Sequence, residues 1–278
     1  MKVAWQKTRW AEAQVFEPEA GAREAIVFCP GFPGMGAAIF EQRHAAALVA
    51  EGYAVYVIHH KGTRLNRALS ASSVNNGWRW QQALEAGETH LGGGPVRMEE
   101  LLDEPQGVLK DMEGLYESIH VVGNSFGALA ALKSLTEEGA AIDSVRSIVL
   151  LAGAQGVDDG TDECVMNRVW KAAYMELPAI TDQIEVADTQ NAIETLRDIY
   201  NALPGRVLKN LPESIPLFYV VVEKDEILRL QDTLDFQKAI EGRGEIIMDY
   251  DEGWPSHGLT PHYTANYRTS SLLKLIRG

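Results

Sequence analysis

Continuous apolar runs alternate with stretches of helical periodicity along most of the chain. The run at residues 24–29 stops at Pro30-Gly31, which is typical of a strand buried on both faces. Similar runs predict further strands at 53–59, 119–122, 147–152 and 216–222, and a weaker one at 246–250. Apolar positions at helical spacing predict helices at 37–51, 104–117, 126–138, 227–241 and 264–276.

This alternation predicts an α/β fold with a mostly parallel central sheet flanked by helices. Strands that alternate with helices form βαβ units, in which the crossover helices cover the faces of the sheet. Because the crossovers are right-handed, the carboxyl ends of the strands meet along one edge. A ligand site is expected at that edge.

Two stretches depart from the alternation. Residues 63–98 contain tryptophan-rich and glycine-rich pieces, and their role stays open. Residues 154–212 carry two helical patterns, near 163–176 and 188–203, between two strong strands. We predict that 154–212 forms a small helical cap over the strand edge, while 1–153 and 213–278 form the core domain. An insertion without a function remains the alternative, because long connections are of either kind.

Composition narrows the class of protein. The chain has 278 residues, of which 46% are apolar and 23% charged, as in ordinary folded domains. The net charge of −14 argues against binding nucleic acid or an anionic membrane surface. Two cysteines are too few for a disulfide framework. The start of the chain lacks a secretory signal pattern, and no apolar run is long enough to span a membrane. We therefore expect a cytoplasmic protein; its oligomeric state stays open, a homodimer included.

The strongest chemical signal is Gly123-Asn124-Ser125-Phe126-Gly127, which lies between a predicted strand and a predicted helix. Gly-x-Ser-x-Gly in that context is the nucleophile elbow. A sharp turn holds the serine in a strained backbone conformation and lifts its Oγ off the sheet, and glycines leave room for the turn. The alternative is a plain strand–helix turn with a capping serine.

A serine hydroxyl needs a base to act as a nucleophile. Among the seven histidines, His257 is the candidate, because it lies in a loop between the last predicted strand and the last helix. Such a loop lets an imidazole reach the elbow. His120 lies inside a predicted strand and is interpreted as structural. His59 and His60 are adjacent and should face opposite ways, so we predict no metal site there.

The third member of such a site is a carboxylate that orients the histidine. Asp225 is the candidate, because it lies in the turn that follows the strand at 216–222. The order Ser125, Asp225, His257 is the chain order of nucleophile, acid and histidine that goes with this elbow. Four other carboxylates remain alternatives for the acid: Glu223, Glu226, Asp158 and Asp159.

Two backbone N–H groups are needed to stabilise a developing oxyanion. The N–H of Phe126, directly after the nucleophile, is one candidate. The N–H of Phe32 is the other, because it lies in the Gly- and Pro-rich loop at 30–36, and Pro33 has no N–H to offer. The sequence holds no phosphate-binding or metal-binding motif, so we predict no cofactor and no metal.

The chain resembles the α/β-hydrolase superfamily from about residue 24 to its end. The resemblance rests on PGFPG after an early strand, GNSFG at the elbow, EKDE after a late strand and SHG before the last helix. It implies a triad of Ser125, Asp225 and His257, with Phe32 and Phe126 as oxyanion donors. It also implies a cap at 154–212.

These features predict a serine hydrolase that cleaves an ester, thioester or amide of a small acyl compound through an acyl-enzyme on Ser125. The same residues also suit an acyltransferase or a carbon–carbon bond hydrolase. A non-catalytic binding protein on the same fold is an alternative of a different class. The partner expected from sequence is a small-molecule acyl substrate.

Overall fold

The structure, a computed structural model, describes residues 1–8, 11–61, 95–153, 155–174, 184–225, 227–249 and 267–278. His257 and Glu226 lie outside the described residues, as does most of the stretch at 63–98.

Within the described residues, eight strands form one sheet, in the order β1-β2-β4-β3-β6-β7-β9-β10, and β5 pairs with β8 in a second sheet. The strands are β1 (Lys2–Lys7), β2 (Glu12–Glu17), β3 (Glu24–Cys29), β4 (Ala54–His59), β5 (Pro95–Val96), β6 (Ser118–Asn124), β7 (Val145–Leu151), β8 (Glu185–Val186), β9 (Leu217–Val222) and β10 (Glu245–Asp249). From β4 to β10 every neighbouring pair in the large sheet is parallel, while β2 joins β1 and β4 antiparallel. The predicted mostly parallel sheet is confirmed.

Helices connect the strands. They are α1 (Met35–Phe40), which runs through a π turn (Glu41–Ala45) into α2 (Ala46–Ala50), then α3 (Met98–Asp111), α4 (Phe126–Leu135), a π-helix (Met166–Tyr174), α5 (Thr189–Asn210), α6 (Leu230–Ala239) and α7 (Thr269–Arg277). None of the helices in the described ranges is both long and apolar enough to cross a membrane.

Apolar side chains are buried on both faces of the sheet. In β3, Ala25 and Val27 join one hydrophobic cluster, while Ile26 and Phe28 join the other. Successive side chains of a strand point to opposite faces, so β3 is covered on both sides. This is why its sequence is continuously apolar rather than alternating.

Two helices differ from prediction by more than one turn within the described ranges. The helix predicted at 104–117 is α3, which begins at Met98, where the Arg97 N–H donates to the Glu100 carboxylate at 3.0 Å and caps the first turn. The helix predicted near 188–203 is α5, which continues through Pro204 to Asn210. Each of these two helices contains a proline, Pro105 in α3 and Pro204 in α5, and packing of the helix against the core outweighs its cost.

The stretch at 154–212 shares the core of the main domain. Helix α5 packs against α3 and α4, and β8 pairs with β5. Its side chains Trp170 and Tyr200 belong to the same hydrophobic cluster as the buried residues of β3 and α4. The division of the chain into core and cap stays a prediction.

Candidate active site

Ser125 lies at the sharp turn between β6 and α4. Its backbone has φ 52° and ψ −121°, a strained conformation for a residue with a side chain. Two backbone bonds hold it there: the Ser125 N–H donates to the Leu151 carbonyl of β7 at 2.9 Å, and the Ala128 N–H donates to the Ser125 carbonyl at 3.0 Å. The turn therefore has the geometry expected of a nucleophile elbow.

The two glycines of the elbow are required by close backbone contacts. A Cβ on Gly127 would lie 2.0 Å from the carbonyl oxygen of Cys29, at the end of β3. A Cβ on Gly123 would lie 2.6 Å from the Cα of Ala128 in α4. Neither approach is possible for a side chain, so the glycines let α4 and β3 pack tightly around the serine.

The loop at 30–36 packs directly against the elbow. A Cβ on Gly31 would lie 3.1 Å from the Cβ of Ser125. The Gly34 N–H donates to the Gly31 carbonyl at 2.6 Å and closes a turn around Phe32. The rings of Phe32 and Phe126 meet edge to face with centroids 5.9 Å apart. The two residues predicted as oxyanion donors are thus close neighbours beside Ser125.

Trp170 of the π-helix covers these two phenylalanines. Its ring centroid lies 5.9 Å from that of Phe32 and 5.6 Å from that of Phe126. The side chain is fully buried, and its Nε1 donates to the Tyr200 hydroxyl at 2.9 Å, which satisfies the indole N–H. The segment between β7 and β9 therefore reaches the residues around the elbow through Trp170.

Asp225 lies just past the end of β9 and is 6% exposed. Its Oδ1 accepts the N–H of Ile227 at 2.9 Å and the N–H of Leu228 at 3.0 Å. These two donors fix the plane of the carboxylate. Strand β9 pairs with β7, and β7 with β6, so Asp225 and Ser125 lie at the same edge of the sheet.

The alternative acids are engaged elsewhere or exposed. Glu223 is exposed to solvent. Asp158 accepts the Arg197 Nε–H at 3.0 Å, within the 154–212 segment. Hydrogen bonds from Thr161 lower the pKa of the fully exposed Asp159 carboxyl. Among the described carboxylates, Asp225 therefore combines burial with a position at the strand edge.

The described histidines bind groups other than Ser125. The ring of His44 contacts Thr269, that of His120 contacts Ser147, and that of His59 contacts Glu41. His60 contacts Glu104 and the Gly31 carbonyl. His59 and His60 thus face different partners, as adjacent strand residues should.

The side chain of Asn124 helps to hold the elbow in place, and no sequence pattern pointed to this role. Its Nδ2 donates to the Leu151 carbonyl at 3.0 Å, and its Oδ1 would lie 3.0 Å from a Cβ on Gly36. The side chain therefore wedges between β7 and the loop at 30–36. No pattern could have revealed this, because any residue type is allowed at the second position of Gly-x-Ser-x-Gly.

The described elements define an α/β-hydrolase fold. No protein-family model matches the sequence, and no curated protein matches it either. Solved structures do match over the whole chain. An esterase from Exiguobacterium antarcticum has a TM-score of 0.59 at 14% identity, with 100% of both chains covered. Est1E from Butyrivibrio proteoclasticus has a TM-score of 0.57 at 13% identity, also with 100% of both chains covered.

An acylaminoacyl peptidase from Pyrococcus horikoshii matches 99% of this chain, with a TM-score of 0.56 at 14% identity. This chain spans 41% of the peptidase chain. At identities this low, the structural match shows a shared fold and nothing about the activity.

Proposed function

We propose that the protein is a serine hydrolase that cleaves an ester, thioester or amide of a small acyl compound through an acyl-enzyme on Ser125. The observation that carries the proposal is the backbone of Ser125, at φ 52° on the turn from β6 into α4. Such strain persists where the surrounding structure holds a reactive side chain in place. A simple capping serine has no need of it, because N-cap residues adopt ordinary extended angles.

In this proposal His257 removes the Ser125 proton and Asp225 orients the imidazole. Support comes from the described ends of β9 and β10: the two strands are parallel, and Asp249 is paired with Val222. The chain therefore leaves β10 beside Asp225. His257 is the eighth residue after Asp249, and a chain of that length reaches at most about 28 Å.

The oxyanion would be held by the backbone N–H groups of Phe32 and Phe126. Phe126 is the first residue of α4, and the first N–H groups of a helix have no acceptor within it. The positive end of the helix dipole favours negative charge at the same place. Water would then release the acyl group through the same base.

The structurally similar proteins support this class of reaction, but they differ in the kind of bond that their names imply. One is an esterase, one has been solved with ferulic acid bound, and one is a peptidase. The buried rings of Phe32, Phe126 and Trp170 make the surroundings of the elbow apolar, which suits the binding of an acyl group.

A fluorophosphonate probe tests the proposal directly. The probe should label the wild-type protein at Ser125, because only an activated serine attacks its phosphorus. Ser125→Ala should not be labelled. Ser270→Ala, at an exposed position of α7, is the matched control and should be labelled like the wild type. Labelling of Ser125→Ala as strong as that of the control would overturn the assignment.

Asp225→Asn should lower kcat/KM on an ester by roughly 10²- to 10³-fold, because an amide no longer stabilises the charged imidazole. The asparagine oxygen can still accept the two N–H groups that Asp225 Oδ1 accepts, so the turn should stay folded. The comparison is with Glu223→Gln and Asp158→Asn, which should remain within a few-fold of wild type. If Asp225→Asn were the mildest of the three, the acid would have to be reassigned.

Activity should rise with pH as the proposed base loses its proton. Histidine ordinarily titrates near pH 6.5, and only the neutral imidazole can accept the serine proton. Below that range kcat/KM should fall about tenfold per pH unit. The measurement is kcat/KM from pH 5 to 8 under conditions in which circular dichroism shows an unchanged fold. A flat profile would contradict the role of His257.

A further inference from the structure

A buried histidine–glutamate pair lies directly behind the loop at 30–36. His60 follows β4, and Glu104 lies on α3; their side chains are 3% and 0% exposed. His60 Nδ1 is 2.5 Å from Glu104 Oε2, and His60 Nε2 is 3.2 Å from the Gly31 carbonyl oxygen. The ring also meets Phe126 edge to face, with centroids 5.7 Å apart. The predicted triad and oxyanion donors make no use of this pair.

The partners of the imidazole determine which of its nitrogens carries a proton. A carbonyl oxygen only accepts, so Nε2 must donate to Gly31. One further proton is then shared between Nδ1 and Oε2 of Glu104. The other carboxylate oxygen, Oε1, accepts the Lys61 N–H at 2.6 Å, which holds the carboxylate in place. Burial raises the pKa of the Glu104 carboxyl, and the contact with His60 opposes that rise.

Fixing the Gly31 carbonyl fixes the direction of the Phe32 N–H. Both groups belong to one planar peptide unit, in which a trans C=O and N–H point in opposite directions. The His60 and Gly34 donors on the carbonyl therefore aim the N–H away from them. Hydrogen bonds at the oxygen also polarise the peptide and strengthen the N–H as a donor.

The adjacent histidine, His59, holds the chain beyond the other end of the loop at 30–36. His59 Nε2 lies 2.7 Å from Oε1 of the buried Glu41, in the π turn that follows α1. The end of β4 thus holds the chain both at Gly31, where the loop begins, and just after α1, into which the loop leads. Of the two contacts, only that of His60 acts on the peptide that carries the proposed donor.

We propose that His60, oriented by Glu104, is a positioning residue that fixes the Gly31–Phe32 peptide as an oxyanion donor. This inference rests on the proposed hydrolase function. His60 acts through the backbone and touches no reacting atom. Its contribution is realised when charge develops on the substrate oxygen, so its loss should lower kcat with little change in KM.

Two substitutions at His60 separate positioning from packing. In His60→Gln, the side-chain Nε2 takes the place of the imidazole Nε2 and can still donate to Gly31. In His60→Asn, the shorter amide can reach Glu104 but not Gly31. We expect His60→Asn to lower kcat about 10- to 100-fold with KM within a few-fold of wild type. His60→Gln should retain most of kcat.

Glu104→Gln removes the charge of the Glu104 carboxylate and should leave the protein folded. Its oxygen can accept the Lys61 N–H, and its amide can donate to a neutral His60 whose Nε2 still carries a proton. We expect kcat within a few-fold of wild type and no new pH dependence above pH 5. A Glu104→Gln protein that lost as much kcat as His60→Asn would show that the charge of the pair, rather than its orientation of Gly31, is what matters, and would overturn the proposal.

The experiment measures kcat and KM on one chromogenic ester, together with the rate of fluorophosphonate labelling and the urea midpoint of each variant. A lower kcat and slower labelling in His60→Asn, with recovery in His60→Gln, supports positioning. Equal losses of stability in both variants with unchanged kcat would mean a structural role only, and would overturn it. Wild-type protein that is not labelled at Ser125 would overturn the hydrolase function and this inference together.

Discussion

Ser125→Ala is expected to lower kcat by roughly 10³-fold or more while leaving the protein folded. The residual rate would come from the oxyanion donors and substrate binding, which do not need the hydroxyl. The fold should be unaffected, because two backbone bonds, from Ser125 N–H to Leu151 and from Ala128 N–H to Ser125, hold the elbow, and alanine keeps both. The measurement is kcat on an ester, with the midpoint of thermal unfolding within about 2 °C of wild type.

Ser270→Ala serves again as the control and should leave kcat unchanged, since Ser270 is exposed on α7. Near-full activity of Ser125→Ala would remove Ser125 from the mechanism. A loss of activity accompanied by unfolding would contradict the argument that the backbone, and not the hydroxyl, maintains the turn.

The sequence predicted the central sheet well where strands are buried on both faces. Strands β3, β4, β6, β7 and β9 all read as continuous apolar runs, and each was predicted within two residues of its ends. Strand β1 was missed because it lacks this apolar run. Strand β1 lies at the edge of the sheet with mostly exposed residues, so no buried apolar run marks it.

Helix ends were harder to predict than strand ends. Helix α3 covers Met98–Asp111 where the pattern predicted 104–117, and α5 continues to Asn210 where the pattern predicted an end near residue 203. Apolar periodicity locates the face of a helix that packs on the core, but the first and last turns depend on capping and packing contacts that periodicity does not record.

Some features of the candidate site depend on local sequence, and others depend on contacts between distant segments. The turn at Ser125 could be predicted because its glycines are a local requirement, met within a few residues of sequence. The buried contacts of Trp170 with Phe32 and of His60 with Gly31 join segments far apart in the chain. Nothing in the periodicity of either segment encodes such contacts, so only the packed structure could reveal them.

Gly127→Ala should unfold or severely destabilise the protein, although alanine favours helices over glycine by about 1 kcal/mol. Gly127 lies in the first turn of α4, and a Cβ there would lie 2.0 Å from the Cys29 oxygen and 2.6 Å from the Pro30 oxygen. Both contacts are with backbone, which cannot swing aside as a side chain would. We expect a cost of about 3 kcal/mol or more, which outweighs the gain in helix propensity.

The matched control for this substitution is Gly205→Ala, in the second half of α5, where the added Cβ would have no neighbour within 4 Å among the described residues outside its own helix backbone. Alanine there should be neutral or stabilise by up to about 1 kcal/mol, since the helical gain is unopposed. Urea midpoints of the two variants and the wild type give the comparison. If Gly127→Ala matched Gly205→Ala in stability, α4 would be able to move away from β3, and the close packing that holds Ser125 in its strained turn would not be the cause of that strain.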